Sequence, residues 1–502
     1  MRIPRSLVAA VFTAACATAA PAQAATLPDQ TLTSPDQVVH WQGKTTDPTG
    51  QGYGPPTQHT CSDDTCDSFV LKIDVPEGTF PKAAENPAPD GVTRMQAEGP
   101  TDMPGDGVLI SVKWPTDFDQ WNLYVEDTST GQTVAQGFDL DSNAQSVLLP
   151  QPHNGTYKVW VVPFYTDFDK VDQDYKGEAR VWLDPSQRHP AKTKLLPSIE
   201  TMPPANFHIG DVPAIPSNPM GWRYTSPGTF TNSCYTDETV QFGSQRCLRF
   251  DNDIRNTGEG PLIMRFAWSP DSVTNNCSMQ QEILASDATV TDRDAGPCNF
   301  HPQHAHFHYQ NMGIYELYPV GGDGLPGAKA VAKSRKVGFC TIDVDYYTFG
   351  ATQPGGPRTY SFPTCNMPNA FSSKSDGPYG PTSPPEYMGI SAGWGDVYTW
   401  DLPQQYIDIT NNVPDGTYEV VSRSNPDGGI LTSDRNAETG VTCVAIKGTE
   451  VKTVREFKPQ ATYAPLPRCG DEPAKAKPKS KAHHKKKHKP KKKKKTKKGH
   501  HR

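Results

Sequence analysis

Polar and apolar residues alternate in short runs through most of this chain. From Val108 onward, "VLISVKW", "WNLYVED", "SVLLP", "TYKVWVVPF" and "EARVWL" repeat the two-residue period of a half-buried strand. Turn signals such as Asn154-Gly155 separate them. The pattern predicts an antiparallel β-sandwich over residues 106–185. Beyond a Pro-containing linker the same texture returns. "QYIDIT" and "GTYEVVSRSN" flank a Pro414-Asp415-Gly416 turn, and long helical periodicities are few. The fold class expected is mainly β: an N-terminal antiparallel β-sandwich, then a β-rich domain with long loops over 200–469.

The two ends break this texture. Residues 1–24 begin with Arg2 and Arg5, continue through an apolar Ala/Val run and finish at Ala22-Gln23-Ala24, a small-residue cleavage pattern. They read as a secretory signal peptide. Residues 25–105 are rich in Pro, Gly, Asp and Thr. Residues 470–502 are almost wholly Lys, His and Pro, with no apolar residue larger than Ala in the lysine run. Such a segment has nothing to bury and is expected to be disordered. Elsewhere no run reaches the roughly 18 apolar residues of a membrane helix, so no transmembrane segment is expected.

Charge divides the chain in two. The formal net charge is −6, but Lys475 to Arg502 carries 16 Lys or Arg and no acid, so the rest stands at −22, which is −6 less 16. The acidic body suits cationic partners. The tail suits anionic polymers of the cell envelope, without sequence-specific nucleic-acid recognition. Of 11 cysteines, Cys16 leaves with the signal peptide. The ten that remain contain no CxxC pair, so disulfides are expected rather than a thiolate metal site, with "CSDDTC" (Cys61–Cys66) a small closed loop. A secreted or cell-wall-associated protein fits both features.

The chemistry concentrates at "HPQHAHFHYQ", where four of the 14 histidines fall within eight positions. His304, His306 and His308 recur every second residue. On a strand, that spacing projects three imidazoles from one face. Three nitrogen donors with an open position suit copper, zinc or iron, and the spacing alone does not choose among them.

Two further motifs make the reading more specific. After an aromatic strand comes "AKSRKVGFC", with Lys336 four residues before Cys340. Later comes "GISAGWGDVYTWDLPQQYIDIT", Gly389 to Thr410. In this order the segments resemble the copper-dependent lysyl oxidase family, over roughly residues 200–469. "CLRFDNDIRNTGEGPL" (Cys247–Leu262) is similar to an early strand of that family. The resemblance implies copper ligation by His304, His306 and His308. His301 falls on the family's first histidine, which is not counted as a ligand there. It also implies a lysine tyrosylquinone cofactor that the protein makes from Lys336 and Tyr398. The implied activity is oxidative deamination of primary amines to aldehydes, consuming oxygen and releasing hydrogen peroxide and ammonia. The implied substrates are lysine-containing proteins or small primary amines. Asp396, two residues before Tyr398, is a candidate base for removing the substrate's α-proton; otherwise it caps a turn or pairs with a surface cation. The chain departs from many animal members at Pro302 and Gln303, where they carry a cysteine between the first two histidines. It also departs in the 62 residues that separate Lys336 from Tyr398. Those extra loops reshape the mouth of the site, so substrate preference does not carry over.

Gly389-Ile390-Ser391-Ala392-Gly393 also fits the nucleophile-elbow pattern of serine hydrolases. That motif needs a following helix and a parallel α/β sheet. Trp394, Gly395 and Pro403 deny the helix, and the hydrolase reading is set aside. The alternative function is a non-enzymatic metal-binding cell-envelope protein, in which the histidines hold a structural metal and Tyr398 and Lys336 remain ordinary side chains.

Overall fold

The computed structural model describes residues 27–45, 66–80, 105–115, 120–137, 142–165, 173–209, 233–267, 276–287, 289–301, 306–334, 338–357 and 387–470. The expected signal peptide (1–24) and the lysine-rich part of the tail (471–502) lie outside them. The described chain is mainly β, as the alternation predicts.

Nine strands come first: β1 (Gln30–Leu32), β2 (Val38–Thr45), β3 (Asp67–Ile73), β4 (Gly107–Lys113), β5 (Gln120–Asp127), β6 (Gln132–Gly137), β7 (Ala144–Pro150), β8 (Gly155–Tyr165) and β9 (Gln173–Trp182). They form two sheets, in the orders β1-β3-β8-β5-β6 and β2-β9-β4-β7. Both sheets feed one apolar core. Leu71, Leu123 and Val159 from the first meet Trp41, Ile110 and Val181 from the second, and the Trp41 and Phe69 rings lie 4.5 Å apart. Two features differ from the sequence expectation. β1 runs parallel to β3. The sheets also draw in β1, β2 and β3, from a stretch whose Pro/Gly content hides its strands. β2 shows why they belong: it pairs with β9 along its whole length, Val38 opposite Arg180 through Thr45 opposite Gln173.

The remaining elements are β10 (Ile199–Thr201), β11 (Ala205–His208), α1 (Thr236–Phe242), β12 (Cys247–Asn256), β13 (Leu262–Ala267), β14 (Asn276–Leu284), β15 (Val290–His301), β16 (His306–Tyr309), β17 (Gly313–Pro319), β18 (Ala332–Lys333), β19 (Tyr387–Ile390), β20 (Gly395–Tyr398), β21 (Tyr406–Asp408), β22 (Gly416–Ser424), β23 (Thr439–Lys447) and β24 (Glu450–Glu456). α1 is the one α-helix among the described residues. It starts where the Glu238 carboxylate accepts the Tyr235 backbone N–H at 2.8 Å and stops at Gly243, whose φ of 70° suits glycine. Three sheets surround a second core. One runs β16-β15-β14-β13-β19 and another β18-β17-β22-β23-β24. In the third, β12 pairs with β10, β11, β20 and β21. Phe250, Met279, Tyr315, Phe339, Trp394 and Tyr398 share the interior.

The two β regions meet through polar contacts. Lys113 Nζ on β4 lies 2.7 Å from an Asp345 carboxylate oxygen, which also accepts from the Asn143 amide at 2.9 Å. Disulfides join Cys234 to Cys247, Cys277 to Cys298 and Cys443 to Cys469. Cys66 and Cys340 are likewise disulfide-bonded, while Cys61 lies outside the described residues. No helix among the described residues is long and apolar enough to cross a membrane.

Candidate active site

The histidine segment is a β-hairpin. β15 and β16 pair antiparallel, with His301 opposite His306, Phe300 opposite Phe307 and Asn299 opposite His308. Residues 302–305, His304 among them, lie outside the described residues. His306 and His308 take alternate positions on β16, and directly opposed residues share a face of the ladder. By backbone register His301 stands opposite His306, and His306 and His308 hold alternate positions of β16. The sequence reading gave His301 at most an outer or occasional place beside the ligands, and the pairing sets its backbone directly across from His306. His308 is buried, at 1% exposure.

A second segment runs beside β16. Phe339 forms an isolated antiparallel bridge with Tyr309: Tyr309 N–H donates to Phe339 O at 2.9 Å and Phe339 N–H returns a bond to Tyr309 O at 3.1 Å. The approach requires glycine at position 338. A Cβ there would sit 2.9 Å from His308 Cβ and 3.1 Å from Tyr309 O. Lys336 lies two residues earlier, outside the described residues.

The same segment reaches Tyr398. Cys340 N–H donates to Tyr398 Oη at 3.1 Å, and Tyr398 O–H donates to Cys340 O at 3.0 Å. The Phe339 ring meets the Tyr398 ring edge-on, with centroids 4.8 Å apart, and meets Tyr315 at 6.0 Å. Gly338, Phe339 and Cys340 thus touch His308 on one side and fix Tyr398 on the other. Further along, Gly389 N–H donates to Thr341 O, and Ser391 N–H donates to an Asp343 carboxylate oxygen, both at 2.7 Å. This polar lacing ties the 338–345 segment to β19 and the turn that follows.

Tyr398 and Asp396 both belong to β20, opposite Asn252 and Ile254 of β12. Their alternate positions share a face, as the sequence suggests. Asp396 is buried within the strand, at 1% exposure. Burial, reinforced by the Asp396 charge, drives the Tyr315 phenol far above its ordinary range. Tyr315 O–H donates to Gln405 Oε1 at 3.1 Å.

The Gly-x-Ser-x-Gly stretch does not form an elbow. Ser391 is fully buried, and β20 follows in place of a helix. β19 pairs antiparallel with β13.

The buried His308 imidazole is a nitrogen donor of a kind that suits copper, zinc or iron. Two other groups bring two sulfurs and a carboxylate within 4.8 Å, Cys234–Glu238–Cys247 and Glu419–Cys443–Cys469. In both, the sulfurs are joined as a disulfide and so are not thiolate ligands. Glu238 is further engaged by the buried Arg249 guanidinium. Sequence reasoning missed Gly338, Phe339 and Cys340. Gly338 and Cys340 act through the main chain, which carries no residue signature, and Phe339 reads as one more apolar core residue.

Compared with models of known protein families, the chain matches none, and no curated protein matches it either.

Proposed function

We propose that the chain is a secreted copper amine oxidase of lysyl oxidase type. It would convert primary amines, peptidyl lysine or small amines, to aldehydes. The observation that carries this reading is the 338–340 segment. Three consecutive residues, beginning two after Lys336, contact His308 and hold the hydroxyl of Tyr398. Residues far apart in sequence that the motif resemblance links, His308 and Tyr398, therefore share one structural support.

His304, His306 and His308 would hold copper, which supplies one-electron oxygen chemistry, and a quinone built from Tyr398 and Lys336 would supply the carbonyl that accepts an amine. The protein's own residues do the rest. The Cys340 main chain orients the Tyr398 hydroxyl, and the Phe339 ring edge restricts the tyrosine ring. Lys336 must be neutral to use its Nζ lone pair, which burial or a nearby cation favours. A carboxylate at Asp396, sharing the strand face of Tyr398, would take the proton from the substrate's α-carbon. The acidic body steers cationic amines towards the site.

A second reading has one observation in its favour. Tyr398 Oη exchanges hydrogen bonds with the Cys340 main chain, as an ordinary packed tyrosine does. A metal-binding cell-envelope protein without amine oxidase activity is compatible with that. The experiment is a stain for protein-bound quinone on the copper-loaded chain beside Lys336→Ala and Tyr398→Phe. The oxidase reading expects quinone in the parent and in neither variant. Copper bound without quinone favours the second reading.

A further inference from the structure

One row of the β18-β17-β22-β23-β24 sheet is unusual in its chemistry. Tyr318, Glu419, Cys443 and Arg455 stand directly opposite one another on β17, β22, β23 and β24. Glu419 and Cys443 are both fully buried. The cover is the stretch after β24. Phe457 N–H donates to Val441 O at 3.0 Å, Gln460 bridges Thr439, and Cys469 N–H donates to Gly324 O at 3.0 Å. Cys469 closes this cover by its disulfide to Cys443.

Glu419 lies against that disulfide. Its Oε1 is 3.6 Å from Cys469 Sγ and 4.0 Å from Cys443 Sγ. Neither sulfur of a disulfide carries a hydrogen, so these contacts satisfy nothing while the acid is ionised. Among the described residues, Oε2 is buried without a hydrogen-bond partner. Other buried glutamates in this chain meet cations: Glu238 has Arg249, Glu316 has Lys333 and Arg423, and Glu438 has Arg435. Burial alone pushes the Glu419 carboxyl up to about 8, so at neutral pH it keeps its proton, with the two disulfide sulfurs beside it. The two cysteines differ in access as whole residues, while both sulfurs lie buried beside Glu419. Cys443 is at 0% exposure, whereas Cys469 is partly exposed.

We propose that Cys443–Cys469 is a thiol–disulfide exchange site, opened by a dithiol reductant at Cys469, with Glu419 as the acid that protonates the departing Cys443. A thiolate of the reductant attacks Cys469 Sγ. The Cys443–Cys469 bond breaks, its electron pair passes to Cys443 Sγ, and the Glu419 proton follows. A buried thiolate is a poor leaving group, and protonation removes that obstacle. The reductant's second thiol gives up its proton to water and attacks the mixed disulfide at the reductant's own sulfur. Cys469 leaves as a thiolate and takes a proton from water, and Glu419 regains its proton from water. The protein disulfide is reduced by two electrons and the dithiol is oxidised to its disulfide. The product frees the segment that leads directly into the lysine-rich tail.

The test uses the full chain and dithiothreitol at pH 7, with alkylation quench and peptide mass spectrometry. Cys234–Cys247 and Cys277–Cys298 serve as clocks in the same molecule. Cys443–Cys469 is expected to open first, by about tenfold or more, and Glu419→Gln to slow that opening by about tenfold while leaving the clocks unchanged. A single early exposure of the parent protein to the monothiol glutathione needs no variant. It should leave glutathione on Cys469 and an alkylatable thiol on Cys443. Simultaneous opening of all three disulfides, an unchanged rate in Glu419→Gln, or glutathione on Cys443 would each overturn the proposal.

Discussion

Tyr398 and Cys340 exchange two hydrogen bonds. The tyrosine hydroxyl accepts from the cysteine N–H at 3.1 Å and donates to the same residue's carbonyl at 3.0 Å. A side chain held by both main-chain groups of one residue has little torsional freedom. Tyr398→Phe removes both bonds and leaves a buried donor and acceptor unmatched, at about 1–3 kcal/mol. The variant is expected to fold, to melt a few degrees lower in a thermal scan and to show no quinone stain. A quinone signal retained in Tyr398→Phe would end the assignment of the cofactor to this residue.

Copper should stabilise the chain by mass action, since the unfolded chain has no preformed histidine face. At a free metal concentration about 100 times Kd, the gain is about 2.7 kcal/mol. Thermal melts with copper and with a chelator should therefore differ by several degrees, reversibly. His308→Ala should abolish the difference, and elemental analysis should then find less than one copper per chain.

Arg249 and Glu238 form an ion pair sealed from water, at 0% and 1% side-chain exposure. Arg249 also donates to Trp400 O at 3.1 Å and Leu402 O at 3.0 Å. Its removal strands a buried carboxylate and unties the loop between β20 and β21. Arg249→Ala should lose about 3–5 kcal/mol in urea unfolding. Arg249→Met with Glu238→Gln should recover part of that loss, because no charge is then left unpaired.

The contribution of Glu419 to stability should fall as pH rises from about 4.5 to about 8. The unfolded chain ionises Glu419 in the ordinary carboxylate range, but the folded chain holds the proton until about pH 8, because burial disfavours the anion. Asp253, pushed up to about 7 chiefly by burial and by the neighbouring Asp345 against the pull of Arg255, acts in the same direction. In this window the folded state binds more protons than the unfolded state, so raising the pH favours unfolding. Glu419→Gln should flatten the slope between pH 5 and 8 in chemical denaturation. An unchanged slope would mean that Glu419 is ionised in the folded state.

Alternation along the chain revealed the β class, and it revealed the shared face of Asp396 and Tyr398, because β20 is a plain strand. The burial of Glu419 in "GTYEVVSRS" lies beyond the reach of alternation, because residues 457–470, more than thirty positions later, bond beside that sheet. β1, β2 and β3 escaped notice for a related reason. Their burial depends on partners such as β8 and β9, and Pro and Gly around them mimic a linker. Local pattern reports which residues can be buried. It is silent on which distant segment will do the burying, and the main-chain clamp of Cys340 on Tyr398 leaves no trace in composition at all.

β12 pairs with β10 and β11 before it and with β20 and β21 far behind it, so the strand that seats Tyr398 waits for late-arriving partners. His308 is synthesised ninety residues before Tyr398. At about 5–20 residues per second, the histidine hairpin precedes the tyrosine by roughly 5–20 s. On the oxidase reading proposed above, self-modification at Tyr398 would therefore wait until β20 has emerged.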